Sequence, residues 1–515
     1  MKSNCQQKVT FLFIVLVLLM SSQTFGQRTV AVTPGIGTLD KAILGDTTAT
    51  GARVDPNTVY VLQRGGYYLT TGTIENRFPL TVVAAVGIGP RPIVQPAVGA
   101  GGTSSNSFSP RADLTLRGLY ITNKDNSGVV AGLSRLMRTR ADKIRLVFDD
   151  CHLDQSGQSA LRIDSKNIRI YFTNSIVSNI GTTIDPNNGR AFDDRGNNID
   201  TLVIENCTFY NLTSTVLRDG GGWIKYFRFN HNTTVNTGQR GLDVGEAVTV
   251  KFTNNLFINT GVLGNTPWIE PPFRVVFLVD SLLTKVIDGV PVTQSVLISN
   301  LNIYTDPAID AAQGDSATVI PNFNATAQAF INTAGTGNTI INEPIKFTNG
   351  PAVPTNVVTT FYANPNNTPP YDDGGKPLGV MPFDFRYSTT TQSYTAGTAG
   401  KPLGAIIWFG MYNEVKRETS TIPQNFELYA NYPNPFNPTT NIRYSIPVQN
   451  HVSLTIYNLL GQKVATLVDQ VQQSGTYTAN WNGTSDNGLV VSSGLYFYRI
   501  EAGNFITTKK MVLLK

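Results

Sequence analysis

The chain has 515 residues, 46 of them Gly and 28 Pro, and only 15% are charged, which describes a turn-rich and sparsely ionic protein. With 41% hydrophobic and 10% aromatic residues it can bury a large core, so disorder is excluded, and the Gly and Pro content argues against a helical bundle. The formal charge of +5 falls to +3 once Lys2 and Lys8 are set aside with the leader described next, so there is no nucleic-acid signature and no such partner is expected.

Residues 1–26 read as a secretory signal peptide: Lys2 and Lys8, then the apolar run Phe11 to Met20, then Ser21 to Gly26 with small residues suited to cleavage. The run is too short to span a bilayer stably. Cys5 precedes it, which argues against a lipid-modified cysteine. Next comes Thr38 to Leu44, with Leu39, Ala42 and Ile43 on one face, a candidate N-terminal cap for a stacked β structure. Val59 to Leu62, Tyr67 to Leu69, Leu80 to Val83 and Ile93-Val94 then read as strands separated by Gly and Pro turns.

The middle of the chain repeats itself. Leu146 to Leu153, Ile170 to Val177 and Val203 to Phe209 share one pattern, and further copies follow at Phe227 to Val235, Val250 to Asn259 and Val296 to Thr305. Each has alternating apolar residues, then a polar anchor, an apolar residue three places on, and often Asn five places on. The anchors are Asp150, Asn174, Asn206, His231, Asn254 and Asn300, with Gly118 in an earlier copy, and the later asparagines are Asn179, Asn211, Asn236 and Asn259. Spacings of 24, 32, 25 and 23 between anchors Asp150 and Asn254 suit one turn of a solenoid with occasional longer loops. Short β-branched and aromatic strands ending at Asn or Gly make each repeat several strands bent by turns, and a stacked Asn can hydrogen-bond its copies above and below. In this register Cys151 and Cys207 fall on non-adjacent rungs, roughly 10 Å apart, so free buried thiols are expected.

With the Gly37-Thr38-Leu39 and Ala42-Ile43 segment followed by the Tyr-rich strand, residues 30 to 310 resemble right-handed parallel β-helix proteins of the pectate-lyase superfamily. The resemblance implies a solenoid acting on or binding polysaccharide, either as a uronate polysaccharide lyase or as a non-catalytic surface or adhesion protein. An insertion is expected from Gly264 to Gln294. From Thr305 to Val415 the repeat fades into Pro, Gly, Asn and Thr-rich sequence, read as a tail packed back along the solenoid.

After residues 416–424, read as a linker, the pattern becomes alternating all-β. Asn431 to Thr440, Leu454 to Val464, Ser493 to Arg499 and Lys509-Lys510-Met511 are very similar to the C-terminal sorting domain of type A cargo of the type 9 secretion system of Bacteroidota. That resemblance implies engagement of the type 9 machinery and a secreted or cell-surface protein. The expected organisation is all-β: a solenoid with its tail over residues 27–415 and a small β-sandwich over 425–515, most simply a monomer.

Aligning the strand after each anchor places Met137, Leu161, Phe192, Leu217 and Leu242 in an inward column, and Arg138, Arg162, Asp193, Arg218 and Asp243 in the next, outward one. Two places on lie Arg140, Asp164 and Arg195. This column is either an inter-rung salt-bridge ladder or a groove for an acidic or neutral polysaccharide. In the groove reading Arg138, Arg162 and Arg195 bind substrate, while the β-helix lyase resemblance puts Arg218 or Arg240 in the role of base and Asp193 and Asp243 as ligands of Ca²⁺. His231 reads as a turn residue in an anchor position before a general base. His152 has no Cys or His partner for zinc beyond adjacent Cys151, and Asp372 to Gly375 reads as a turn before a calcium loop.

Overall fold

The computed structural model describes residues 28–514 apart from 51, 88, 99–105, 131–133, 184, 186, 264–274, 283–285, 288–289, 315–321, 334–338, 412–415, 418–424, 449, 473–474, 487–489 and 504. The leader assigned to residues 1–26 lies outside the described residues.

The solenoid is a parallel β-helix with three faces. Face A runs through Thr29–Val32, Val59–Leu62, Leu80–Ala84, Leu114–Arg117, Arg145–Asp149, Ile168–Thr173, Ile199–Glu205 and Trp223–Asn230 into the long bent strands Glu246–Thr260 and Ser295–Tyr304. Face B contains Tyr67–Thr70, Ile93–Pro96, Tyr120–Thr122, His152–Ser156, Ile176–Ile180, Thr208–Leu212 and Thr233–Thr237, and it too continues into the bent strands. The two together form a 19-stranded sheet, and a separate 7-stranded sheet makes face C. Face C stacks Asn106–Phe108, Arg135–Arg138, Ser159–Arg162, Arg190–Asp193, Leu217–Arg218, Leu242–Asp243 and Phe277–Leu278.

The corner between faces A and B explains the recurring anchors. Asp150, Asn174, Asn206, His231, Asn254 and Asn300 all have φ between 50° and 61°, and Gln155, Asn179, Asn211, Asn236 and Asn259 repeat that conformation five residues on. Asn and Asp tolerate this left-handed region better than other L residues. Gly118 holds the same corner at φ 67°, where glycine carries no steric cost. The side chains then form ladders: Asn206 Nδ2 donates to Asn174 Oδ1 at 2.6 Å, Asn211 Nδ2 to Asn179 Oδ1 at 3.1 Å and Asn259 Nδ2 to Asn236 Oδ1 at 3.2 Å. Inside the solenoid, aromatic rings stack from rung to rung, as Phe229 on Phe252 at 5.5 Å, and across one rung, as Phe252 on Phe277 at 4.1 Å. Cys151 and Cys207 are free and buried, and Ser175 occupies the rung between them.

Helix Thr38–Leu44 closes the N-terminal end with Leu39 and Ile43 buried against the first rungs. At the other end Phe323, Ala327 and Ile331 close the core, the last two on helix Ala325–Thr333, an element missing from the sequence-based expectation. The segment expected as an insertion also needs correcting. Phe277–Leu278 within it is a regular face C strand paired with Leu242–Asp243, because Val276, Phe277 and Val279 supply the apolar residues that the core requires.

The tail returns along face B. Phe383, Phe385 and Tyr387 pack on Ile176, Tyr210, Val235, Leu256 and Ile258. The ladder asparagines hold it: Thr398 N donates to Asn254 Oδ1 at 2.8 Å, Ile407 N to Asn206 Oδ1 at 3.0 Å, and Asn211 Nδ2 donates to Asp372 O at 2.7 Å.

Two antiparallel sheets form the C-terminal module. One pairs Glu427–Leu428, Thr440–Ile446 and Gly475–Trp481, and the other Asn450–Tyr457, Lys463–Gln472, Gly494–Ala502 and Phe505–Leu513, around a shared core that includes Trp481, Tyr498 and Leu513. This is a β-sandwich. Lys416–Arg417, at the start of the segment read as a linker, pairs with Tyr477 and Thr478 of the first sheet.

Asn211→Val forces a β-branched residue into φ 56° and removes the bonds to Asn179 and Asp372. We expect a loss of about 2 to 4 kcal/mol, and a clearly smaller loss for Asn211→Gly, which keeps the backbone at ease. Denaturant unfolding of both variants against the parent measures the difference.

Candidate functional site on face C

The charged column stacks as the register required: Met137, Leu161, Phe192 and Leu217 pair inward, while Arg138 pairs with Arg162, Arg162 with Asp193 and Asp193 with Arg218. Strict alternation is nonetheless broken here. Leu136 and Met137, Ala160 and Leu161, Ala191 and Phe192, and Val216 and Leu217 are buried as consecutive pairs, because the short strand bends around the core. As a result the residue three places before the column also faces outward. That adds Arg135 and Arg190, overlooked in the sequence reading, beside Arg240. Their signal was the recurrence of arginine at that offset in alternate rungs.

The charges are arranged in groups. Asp164 bridges Arg138 and Arg162, the latter at 2.8 Å. Asp193 lies 3.3 Å from Arg190 and 3.6 Å from Arg218, and Asp243 is held by Arg240. Exposure differs sharply within this set. The Asp193 side chain retains 5% of its accessible surface and that of Asp243 12%, whereas Arg218 retains 40%. The acids are therefore sunk among arginines, which departs from the exposed pairing expected for an outward column. Asp193 Oδ1 and Arg190 Nε, both buried, make no hydrogen bond among the described residues. Arg195 sits apart, exposed in the turn after the strand with φ 56°, and Arg140 is exposed beyond the ladder.

The two acids expected to bind Ca²⁺ are not brought together. Arg218 occupies the rung between Asp193 and Asp243, placing them about 10 Å apart, and each already carries an arginine. Among the described residues there is no grouping of three or more His, Cys, Asp or Glu suited to a metal ion. These residues do not fit one calcium ion.

A second acidic group lies just past the strands. Asp194 accepts from Gly220 N at 2.6 Å and Gly196 N at 3.1 Å, and burial together with Asp219 pushes its carboxyl up to about 8. Gly220, in the Gly220-Gly221-Gly222 run, thus serves a capping contact. Asp219 also lies so close over Gly245 that a Cβ there would collide with its carboxylate. Burial raises Asp243 to about 6, with Arg240 opposing and Asp219 reinforcing the shift. Burial holds the Arg240 and Arg190 guanidinium groups below their ordinary value.

The weaker sequence candidates have structural roles. His231 is a corner residue at φ 51°, and burial lowers its imidazole to about 4. His152 is buried on face B, 2.7 Å from Ser178 Oγ, in a network with Asp154 and Tyr120 beneath the tail, and burial holds it well below its ordinary value. Asp372 and Asp373 cap their own turn through Gly374 N and Gly375 N, each at 2.9 Å.

Residues 430–514 match the family model described as the secretion system C-terminal sorting domain. No curated protein matches the chain. Among solved structures, one of PorZ, described as an essential bacterial surface component of the type-IX secretion system of Porphyromonas gingivalis, is 21% identical over 17% of this chain and 11% of that chain, with a TM-score of 0.14. The β-sandwich is therefore a sorting domain of the type 9 route, and the protein is secreted or displayed at the cell surface.

Because the folded protein holds a proton on Asp194 that the unfolded chain releases near pH 4, stability falls as pH rises from about 4 to about 8 and then levels. Asp194→Asn keeps an acceptor for Gly196 and Gly220 but carries no proton to lose. Denaturation midpoints between pH 5 and 9 are expected to slope less steeply in this variant than in the parent.

Proposed function

We propose that the solenoid, delivered by its sorting domain, binds acidic polysaccharide along face C. The observation that supports this most directly is Arg218: it is the most exposed guanidinium of the ion-paired column, and its contact to Asp193 at 3.6 Å is an ion pair without a hydrogen bond. It can take up a carboxylate in the two-bond geometry that favours arginine, while Arg190 continues to compensate Asp193. Arg138 and Arg162, both half-buried, continue the basic track on the preceding rungs. The helical N-terminal cap and the asparagine corners support the resemblance to the pectate-lyase superfamily, and elimination from a uronate polymer is the finer form of the proposal. Arg218 is then the group placed to meet the sugar ring, whereas Arg240 is held on Asp243.

One observation favours a non-catalytic surface protein instead: the acids of the column are already paired with arginines, as in a structural ladder. A screen of the secreted protein against uronate polymers, with and without calcium, separates the readings. Binding together with ultraviolet-absorbing unsaturated product marks a lyase, binding alone an adhesion protein, and neither outcome with any acidic polymer refutes the proposal. Arg218→Met is expected to abolish binding while the melting temperature falls only a little, since Arg190 still pairs with the buried Asp193 and the aliphatic stem is largely kept.

Export is tested separately. Deleting residues 425–515 removes a module with its own core and is expected to leave a folded solenoid trapped in the periplasm. Fractionation with immunodetection measures this, and normal export of the truncated chain contradicts the assignment.

A further inference from the structure

We propose that a second site, on the corner between faces A and B, binds a neutral sugar unit of a glycan. A cleft of about 470 Å³ lies there, between the anchor turns and the returning tail. Its size falls within the range of small-ligand pockets, and its lining mixes apolar surface with a few placed polar groups. The site is independent of the face C reading and uses none of its residues.

The polar wall comes from the solenoid. Arg91 Nε donates to Asp150 O at 2.7 Å and a terminal nitrogen of Arg91 to Asp150 Oδ1 at 2.6 Å, which fixes the corner residue of that rung. Asp149 Oδ1 accepts from Asn174 Nδ2 at 2.8 Å and from Thr173 Oγ1 at 3.0 Å. Each carboxylate is thereby oriented through one oxygen while both side chains stay accessible, at 36% for Asp149 and 49% for Asp150. Arg91 is committed to Asp150, and Arg117 lies 4.0 Å from Asp149. The lining therefore presents acceptors for hydroxyl groups and leaves no unpaired cation for an anionic sugar.

The apolar wall comes from the tail. Trp408 Nε1 donates to Thr208 Oγ1 at 2.8 Å, and the preceding Ile407 N donates to Asn206 Oδ1, so the half-buried indole is locked in place before any ligand arrives. Met381 and Ile176 complete the greasy surface. A pyranose suits this pairing, with C–H groups on one face for the electron-rich indole and hydroxyl groups at the rim for oriented carboxylates. A purely apolar ligand leaves the carboxylates desolvated, and an anionic one meets two carboxylates.

Isothermal titration of the secreted protein with cellohexaose, mannohexaose, maltohexaose and xylohexaose, and with trigalacturonate as the charged control, tests the site. At least one neutral hexaose is expected to bind. Trp408→Ala should weaken that binding at least about tenfold, in line with the loss of one anchoring aromatic. Because Trp408→Ala also removes a tie to Thr208, Asp149→Asn serves as the second variant. It retains an acceptor for Asn174 and Thr173, so an unchanged melting temperature with clearly weakened binding supports the site. Arg218→Met should leave neutral-sugar affinity unchanged, which separates this proposal from the one on face C. The proposal is overturned if no neutral hexaose binds, if binding persists in both Trp408→Ala and Asp149→Asn, or if trigalacturonate competes at this site as well as the neutral hexaose.

Discussion

From Gly118 onward the solenoid depends on turning the A to B corner with a single residue at positive φ. A one-residue corner leaves no slack, so each of these rungs enters face B in the same register as the rung below. Asparagine meets two demands at once: it tolerates the left-handed backbone, and its amide donates along the stack while its oxygen accepts. The same amides have capacity left over. Asn206 and Asn254 accept from the tail backbone, and Asn211 and Asn236 donate to tail carbonyls. The corner and the face B asparagines five residues on therefore also position the tail, and with it the indole of Trp408.

What was legible in the sequence was whatever repeats. The anchors showed through because the left-handed corner restricts residue type at a fixed interval. The inward column showed through because Met137, Leu161, Phe192, Leu217 and Leu242 must all fill one core. Elements outside the period were harder to see. Helix Pro307–Gln313 carries an Asp306 cap whose side chain accepts from Ala308 N, with Pro at the first position, a start signal that the surrounding Pro and Asn-rich composition concealed. The corner cleft had no periodic signal at all, since Arg91 and Trp408 are brought together only by the tail's return. On face C the arginines three places before the column were hidden by assuming strict alternation, which holds for a flat strand and fails for one bent around a corner.

Burial of the acids on face C has a consequence for how that face can act. Removing Arg240 would strand Asp243, and removing Arg190 would leave Asp193 with only its longer contact to Arg218, so both arginines are bound to their acids by the high cost of an uncompensated buried charge. Arg218 differs because Asp193 keeps Arg190 when Arg218 moves away. A ligand carboxylate therefore competes against a long contact without a hydrogen bond, and Arg190 still compensates Asp193 when Arg218 changes partner. The ladder and the groove are thus compatible descriptions of one surface: a fixed set of buried pairs holds the rungs' charges in place, and above it stands one guanidinium free to change partners. If face C recognises acidic glycan, specificity rests on that difference in attachment between Arg218 and its neighbours, more than on the number of arginines in the column.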